Sequence, residues 1–329
     1  MKNLKHIFGT LVLSALIFTS CNKSEGIDND CDGDCNPATA EEFNNIRDAA
    51  LENLTQTFQF DAADGSITLT SDKGVNIYLN TNCLTLNGNA VTGTIDLEFV
   101  ELFEKGNMLT TNKPTMGTLP NGDKALLLTG GEFFVEATKD GVALDTNCGF
   151  QMLIPADLTG GVDNDMIMWN GVIDEDGNLA WEEEKRDGAQ GEGGVFGEGN
   201  NYYGFFQSFG WSNVDRFYSD PRPKTTILAA VPEGYDNTNS SVYLSYDGEE
   251  TGLAQLDTYD AGTGLFSEHY GQIPIGLECH VIFATEDNDN WKYAIKAVTI
   301  VENGVITFTE GETSIATEAQ LTTIINGLP

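Results

Sequence analysis

The residues of this sequence that could support acid–base or nucleophilic chemistry are few and scattered. Three histidines occur in 329 residues, and only His269 and His280 lie beyond the first twenty. A serine or cysteine nucleophile needs a base that is itself oriented by a third group, and the sequence has no G-x-S-x-G elbow. His280 follows Cys279 at the start of an apolar strand pattern, so we predict a packed side chain rather than a catalytic one. We expect His269, which is near a predicted turn, to be solvated.

The acidic residues are too numerous for their spacing to indicate catalysis. Paired carboxylates carry out glycoside hydrolysis, but with 51 Asp and Glu residues two will lie close together by chance. The run DNDCDG over 28–33 matches the first half of a calcium-binding EF-hand loop, yet its twelfth position, which should be Glu, is Thr39. No Cys/His cluster has zinc spacing. We therefore predict no catalytic residue, no metal site and no cofactor, and an enzyme is the least supported function.

Four tryptophans are the strongest candidates for ligand contact, because an indole ring can stack on a sugar ring. Core packing is the simpler interpretation, since aromatic residues dominate core energetics. Two exposed, coplanar indoles at one end of the fold would favour glycan binding, and four buried ones would count against it. Of Trp169, Trp181, Trp211 and Trp291, we select Trp211 and Trp291 as the ligand-binding residues.

The first 21 residues have the order of an export signal. Lys2 and Lys5 precede an uncharged, mainly apolar run from Ile7 to Phe18, followed by two small residues and Cys21. A basic start, a short apolar core and a small-residue cleavage point define a secretory signal. The apolar run is shorter than the roughly 20 residues that a membrane-spanning helix needs.

The cysteine after the small residues resembles the lipobox of bacterial lipoproteins, in particular those of the Bacteroidota. In that family the cysteine becomes the first mature residue and carries lipid; the leucine usual three positions earlier is Phe18 here. The resemblance implies a signal peptide over 1–20 and lipid on Cys21, and several acyl chains on one residue anchor a protein stably. The acidic stretch 21–39 is predicted to be a flexible tether. Its acidity resembles outer-leaflet export tags, and both leaflets of the outer membrane stay open.

Charge and cysteine content limit the partners and the compartment. With 51 acidic and 16 basic residues the net charge is −35, which repels phosphate backbones and excludes nucleic acid as a partner. Five cysteines remain besides Cys21, and an odd number leaves at least one unpaired. Two pairings stay open: Cys31 with Cys35 in a small ring, and Cys83 with Cys148 across two strands. Cys279 belongs to neither pairing.

The pattern of apolar residues predicts an all-β protein with one helix ahead of the first sheet. Residues 40–58 have apolar residues at steps of three and four, and Thr39 with Glu42 forms a capping box. From 58 to about 155 apolar and polar residues alternate, which is typical of an antiparallel β-sandwich. Turn dipeptides that tolerate positive φ separate the strands: Asp64-Gly65, Asn87-Gly88, Asn121-Gly122 and Asp140-Gly141.

Part of this first block resembles a known domain. The order KGVNIYLNTNCLTLNGNAVTGTIDLEFVELF, then LLLTGGEFFVEATKDGVAL, looks like the β-sandwich domain shared by zonula-occludens proteins, netrin receptors and ankyrins. The proline usual in the first motif is absent, and residues 80–83 stand in its place. The resemblance covers about residues 58–155 and implies a structural and interaction domain with no catalytic residues. The matching positions are Gly93, Ile95 and Leu97, then Leu127, Gly130, Gly131, Val135 and Ala137.

The predicted organisation is a signal peptide over 1–20, a tether over 21–39, a helix with a first β-sandwich over 40–160, a hairpin and Gly-rich connector over 161–200, and a second β-sandwich with a short closing helix over 201–329. The run GWSNVDRFY near the start of the last block resembles lipoproteins of the Bacteroidota and implies no activity. We expect a lipid-anchored outer-membrane protein with a non-catalytic structural or protein-interaction role. A surface glycan-binding protein of a polysaccharide-uptake system is the alternative. An envelope protein or a polysaccharide is accordingly the expected partner.

Overall fold

The alternation of apolar and polar residues does produce an all-β fold with sandwich-like sheets: of the residues that the structure describes, 51% lie in strands and 14% in helices, 3-10 turns included. The computed structural model describes residues 36–173, 179–185 and 194–329, without the side chains of His269 and Tyr270. The predicted signal peptide with Cys21, the acidic tether through residue 35 with Cys31 and Cys35, and the hairpin tip at 174–178 lie outside the described residues. Residues Pro37–Pro329 form one compact unit.

The described chain contains three α-helices: α1 (Ala40–Leu54), α2 (Lys105–Thr110) and α3 (Glu318–Asn326). The capping box of α1 is confirmed, because Glu42 donates its N–H to Thr39 Oγ1 at 3.2 Å and accepts from the Thr39 N–H at 2.8 Å. The helix ends at Leu54, before the predicted end at residue 58, because the following residues pair as a strand with 94–99. The short closing helix is also confirmed, whereas α2 lacks a periodic pattern and was not predicted.

Twenty-five strands lie in the described residues. In chain order they are β1 (Gln56–Asp61), β2 (Ser66–Thr70), β3 (Asn76–Asn80), β4 (Leu84–Leu86), β5 (Asn89–Ala90), β6 (Thr94–Leu102), β7 (Met116–Thr118), β8 (Lys124–Lys139), β9 (Val142–Ala143), β10 (Asp145–Thr146), β11 (Phe150–Pro155), β12 (Ile167–Ile173), β13 (Leu179–Glu183), β14 (Val195–Glu198), β15 (Asn201–Phe206), β16 (Gly210–Phe217), β17 (Lys224–Ala230), β18 (Ser240–Tyr246), β19 (Ala254–Gln255), β20 (Thr258–Asp260), β21 (Leu265–Pro274), β22 (Glu278–Asp287), β23 (Asn290–Thr299), β24 (Val305–Thr307) and β25 (Ser314–Ala316). Three short 3-10 turns occur at Thr81–Cys83, Ala156–Thr159 and Glu310–Glu312.

The first sandwich packs an eight-stranded sheet against a five-stranded sheet. The larger sheet has the order β1-β6-β8-β16-β12-β13-β7, with β9 beside β8, and the smaller has the order β14-β15-β11-β3-β2. Their facing side chains form one core, to which Ile77, Phe99, Phe133 and Met152 contribute. On β6 the buried Ile95, Leu97 and Phe99 alternate with exposed residues, as the period-two pattern predicts.

The second sandwich consists of a four-stranded sheet, β20-β21-β17-β24, and a five-stranded sheet, β19-β18-β22-β23-β25. Apolar side chains from the inner faces of both sheets pack into a second core, among them Ile227, Val242, Phe266 and Phe283. A third cluster joins the helices to strands of both sandwiches, including Phe43 of α1, Met108 of α2, Leu321 of α3 and Ile282 of β22. No helix in the described part of the chain is long and apolar enough to cross a membrane.

The stretch predicted as a connector contributes strands to the largest sheet. β12 and β13 form the expected hairpin, with Ile173 opposite Leu179, and β12 also pairs with β16. Trp169, Leu179 and Trp181 of this hairpin form one buried cluster with Leu127 of β8. β15 and β16, which the sequence analysis assigns to the second sandwich, pair instead with β11 and β8 of the first. The sheets of the second sandwich therefore begin at Lys224 rather than at residue 201.

Candidate functional site

The outer side of the five-stranded sheet carries the exposed aromatic side chains that could meet a ligand. Strand side chains alternate between the two faces of a sheet, and the inner residues of these strands, such as Ile77, Met152 and Tyr202, are fully buried in the first core. Their neighbours must therefore point outward. We call the following outward-pointing set the aromatic face: Thr68, Asn76, Tyr78, Gln151, Leu153, Phe196, Tyr203 and Phe205.

Strand register brings the members of the aromatic face into two adjacent rows. In the first row Thr68 is opposite Tyr78, Tyr78 is opposite Gln151, and Gln151 is opposite Phe205. Asn76, Leu153, Tyr203 and Phe196 form the second row in the same way. Directly opposite residues in antiparallel strands have Cβ atoms about 4.5–5.5 Å apart. Each row is therefore a continuous strip across the sheet.

Three of the rings expose a large part of their surface: Tyr78 is 40%, Phe196 47% and Phe205 36% exposed. The rings of Phe196 and Tyr203 stack with centroids 5.0 Å apart and planes within 3°, and Phe205 is 5.9 Å from Phe196. These cross-strand contacts restrict the rings of Phe196, Tyr203 and Phe205. Restricting these rings in advance lowers the entropic cost of binding a ligand against them.

A hollow of 630 Å³ adjoins Tyr78 and Phe205, and amide side chains of Asn80, Gln151 and Gln207 line it together with the two rings. A second hollow of 240 Å³ lies over Leu153 and Tyr203. All the side chains that line these two hollows are uncharged, although Asp, Glu, Lys and Arg make up 20% of the chain. Such a surface suits a neutral ligand that has both apolar and hydrogen-bonding faces.

A disulfide bond borders the larger of these two hollows. Cys83 and Cys148 are bonded, with Cα atoms 5.8 Å apart, and Cys148 borders the larger hollow. This pairing is one of the two that the sequence left open. Cys279 is free and buried, and burial raises the pKa of its thiol to about 12. The thiolate, which is the reactive form, is therefore scarce at Cys279 at neutral pH.

The selection of Trp291 as a ligand-binding residue is wrong, because only 1% of the residue is exposed. Its ring packs edge-on against Phe43 of α1, with centroids 6.2 Å apart. Trp211 is partly buried, and its ring contacts Phe134 at 5.3 Å and Trp181 at 6.4 Å. The two selected tryptophans do not share an exposed surface, and three of the four tryptophans are buried, so the tryptophans do not support glycan binding. The aromatic face was missed because alternation marks two faces of a strand, and only the pairing partners decide which one is outside.

The remaining tryptophans are fully buried with their indole N–H groups satisfied by backbone carbonyls. Trp169 Nε1 donates to Asp215 O at 2.9 Å, and Trp181 Nε1 donates to Pro114 O at 3.1 Å. Buried indoles usually find such a partner. The interpretation of these two residues as packing residues is therefore confirmed.

His280 lies in an arrangement that resembles a catalytic set but is closed to substrate. Its Nδ1 is 2.8 Å from Asp247 Oδ1, and Ser245 is opposite His280 in the β18–β22 pairing. Lys105 of α2 donates from Nζ to Ser245 Oγ at 2.8 Å. Ser245 has no exposed surface and Lys105 is 2% exposed, so no substrate can reach the hydroxyl. We interpret the set as the attachment of α2 to the second sandwich.

Within the described ranges, no group of three or more His, Cys, Asp and Glu side chains is arranged to hold a metal ion. The EF-hand-like run at 28–33 and the side chain of His269 lie outside what the structure describes. The aromatic face therefore remains the site on which a function can be argued.

In comparisons with known proteins, no protein-family model and no curated protein matches the chain. A fold of this kind supports many unrelated functions, so function must be argued from the site.

Proposed function

We propose that the protein is a lipid-anchored protein of the bacterial outer membrane that binds rather than catalyses, and that its aromatic face holds a neutral polysaccharide. The observation that carries the proposal is the uncharged face itself, in a chain of net charge −35. The carbon-bound hydrogens of a sugar ring present an apolar face to an aromatic side chain, while amide side chains both donate to and accept from its hydroxyls. A polyanion would find no cation on this face.

The rows of the aromatic face favour a chain-like ligand over a single small molecule. Tyr78, Gln151 and Phe205 span three neighbouring strands, and adjacent strands are about 4.8 Å apart. The two rings at the ends of this row are therefore separated by about two strand spacings. An extended ligand contacts such a strip along its length, and each ring adds buried apolar area.

Two independent features support the proposed lipid anchor and the proposed location outside the cytoplasm. The sequence of residues 1–21 has the pattern of a lipoprotein signal that ends at Cys21. The Cys83–Cys148 disulfide supports export, because disulfides persist in oxidising compartments outside the cytoplasm. The acidic stretch after Cys21 would give the sandwiches reach from the membrane.

An envelope protein as the partner is the second candidate function, and a different surface favours it. Ile315 of β25 is 59% exposed and Ile324 of α3 is 37% exposed. These side chains and Tyr293 border a mainly apolar hollow of 570 Å³. Exposed apolar patches of this kind mark protein contacts when they are large enough. The patch lies outside residues 58–155, so the interaction domain that the sequence resemblance implies is a separate argument for the same role.

Binding of the full chain, purified in detergent, to a panel of neutral polysaccharides tests the first candidate. We expect retardation on at least one neutral glycan in affinity electrophoresis, with a loss of tenfold or more in the double variant Tyr78→Ala, Phe205→Ala. Val305→Ala, which truncates a 56% exposed side chain of the second sandwich, is the matched control and should bind as the wild type does. Absence of retardation on every neutral glycan, or equal retardation of the double variant, would contradict the proposal.

A further inference from the structure

Arg47 of α1 is a cation whose hydrogen-bond partners carry no negative charge. Its Nη2 donates to Ser241 Oγ at 2.5 Å and to Tyr243 OH at 3.4 Å, and its Nε is buried without a partner among the described residues. The guanidinium carbon is 3.8 Å from the ring centroid of Phe43. A desolvated cation normally requires a paired anion, because removing the charge from water is costly. An arginine that hydrogen-bonds to no carboxylate is therefore unexpected in a chain with 51 acidic residues.

A second cation, Lys113, strengthens the positive field around Arg47. Its Nζ donates to the Thr111 carbonyl at 3.1 Å and lies 5.4 Å from the Trp211 ring. Burial first, and then the charge of Arg47, lowers the pKa of Lys113 to about 8, against the charges of Glu132 and Asp48, which raise it. The two cations therefore interact, and an anion near Arg47 would relieve their repulsion.

Arg47 lines a cavity of 230 Å³ between α1 and the second sandwich. Most of its other lining groups are neutral hydrogen-bonding side chains, among them Asn44, Thr238, Ser241 and Gln255. Asp257 also lines the cavity, but its carboxylate is 2.6 Å from Lys124 Nζ and its side chain is 5% exposed. That ion pair offsets the one acidic charge in the lining.

We infer that this cavity binds a small ligand that carries one carboxylate and several hydroxyls, with the carboxylate on Arg47. Asp48 acts on Arg47 through its charge but makes no hydrogen bond to it. The ligand carboxylate supplies the hydrogen-bonded anion that the guanidinium lacks, in the geometry that makes arginine the preferred carboxylate binder. The hydroxyls meet the amide and hydroxyl side chains of Asn44, Ser241 and Gln255. A volume of 230 Å³ equals that of roughly eight liquid waters at about 30 Å³ each, which suits a monosaccharide acid. The site is separate from the aromatic face and does not depend on the function proposed for it.

Calorimetric titration of the full chain in detergent, with sodium D-glucuronate as the probe and D-glucose as the uncharged match, tests the inference. We expect saturable heat and a rise in melting temperature with glucuronate, and neither with glucose. Arg47→Gln should weaken binding by tenfold or more. Arg222→Gln is the control, because Arg222 is paired with Asp220 at 2.6 Å outside the cavity lining and should not affect the titration.

A second variant keeps the test decisive if Arg47→Gln unfolds the protein. Asn44 is exposed at the cavity rim on α1, so Asn44→Trp should fill the entrance and abolish binding while the charge stays constant. Binding should also raise the pKa of Lys113, which ¹³C NMR of labelled lysine detects. The inference would be overturned by the absence of a saturable response to glucuronate up to 50 mM, which corresponds to about 1.8 kcal/mol of affinity. An equal response to glucose, or unchanged binding of glucuronate by Asn44→Trp, would also overturn it.

Discussion

Glu132 of β8 and Asp215 of β16 are two carboxyl groups with no exposed surface on neighbouring strands of the eight-stranded sheet. Burial first, and then the nearby charge of Asp215, raises the pKa of Glu132 well above its ordinary value. Burial also raises the pKa of Asp215, against hydrogen bonds that lower it, one of them from Asn213 Nδ2 at 2.6 Å. The charge of Lys113 and the nearby indole of Trp181 lower the pKa of Glu132 and so oppose this shift, but neither carboxylate oxygen has a hydrogen-bond partner of ordinary geometry among the described residues, and Trp181 Nε1 donates to Pro114 O instead. Both groups therefore keep their proton to a higher pH in the folded protein than in the unfolded chain.

The free energy of unfolding should consequently fall as pH rises. For a carboxyl whose folded pKa is raised, the stabilising contribution is complete below the unfolded pKa near 4 and is lost as pH rises through the folded pKa. Glu132→Gln, which stays neutral, should flatten this decline, so that its stability relative to the wild type rises between pH 5 and pH 8. Urea denaturation between pH 5 and pH 8 measures both effects.

The control for this pH dependence is Glu98→Gln, because Glu98 is exposed on the adjacent strand β6. We expect its stability to change with pH as that of the wild type does. If wild type and Glu132→Gln lose stability in parallel between pH 5 and pH 8, the burial of an ionisable Glu132 does not govern the pH response.

Loss of the Cys83–Cys148 disulfide should destabilise the first sandwich. The bond closes a segment with a sequence separation of 65 and restricts the unfolded chain, for which typical stabilisation is about 2–4 kcal/mol. The double variant Cys83→Ser, Cys148→Ser should lower the free energy of unfolding by that amount. Reductant should lower the stability of the wild type equally and leave the double variant unchanged. A reductant effect of the same size in both proteins would assign it to other cysteines.

Lipid attachment predicts that Cys21 alone carries the anchor. Cells that are fed an alkyne-tagged palmitate should label the protein, and Cys21→Ser should abolish both the label and its recovery with membranes. Cys31→Ser is the matched control, since Cys31 is a cysteine of the same acidic stretch ten residues later, and it should retain the label. Label that persists in Cys21→Ser, or disappears in Cys31→Ser, would argue against the anchor.

Local patterns in the sequence predicted much of the secondary structure, because their causes are local. The Thr39–Glu42 capping box needs only residues three apart, and Asn87 and Gly88 adopt the positive φ values of 52° and 77° that their turn dipeptide favours. Strand pairing is different, because it depends on residues far apart in the chain. The sequence of β16 fits a strand of either sandwich, and only the pairing of β16 with β8 shows that it belongs to the first.

The candidate site depended on the same non-local information. Tyr78 and Phe205 are 127 positions apart, and Gln151 of β11 brings them into one row because it pairs with both of their strands. The tryptophans were selected because they have the largest rings, yet large rings also contribute most to stability when the core buries them. The cavity at Arg47 likewise joins α1 to residues near 240 and 255, a contact that no sequence motif indicates.

The packing of α2 against α3 gives a prediction in which the sign of the effect is decisive. Gly106 is inside α2, where alanine would be favoured over glycine by about 1 kcal/mol if the surroundings allowed it. A Cβ at Gly106 would lie 2.5 Å from Thr322 O and 2.7 Å from Thr322 Cα, both backbone atoms of α3. Such overpacking costs about 1–3 kcal/mol. Gly106→Ala should therefore lower the free energy of unfolding in urea, whereas Gly311→Ala, whose Cβ meets nothing within 4 Å, should leave it unchanged or raise it slightly. A stabilised Gly106→Ala would mean that the two helices do not pack this closely.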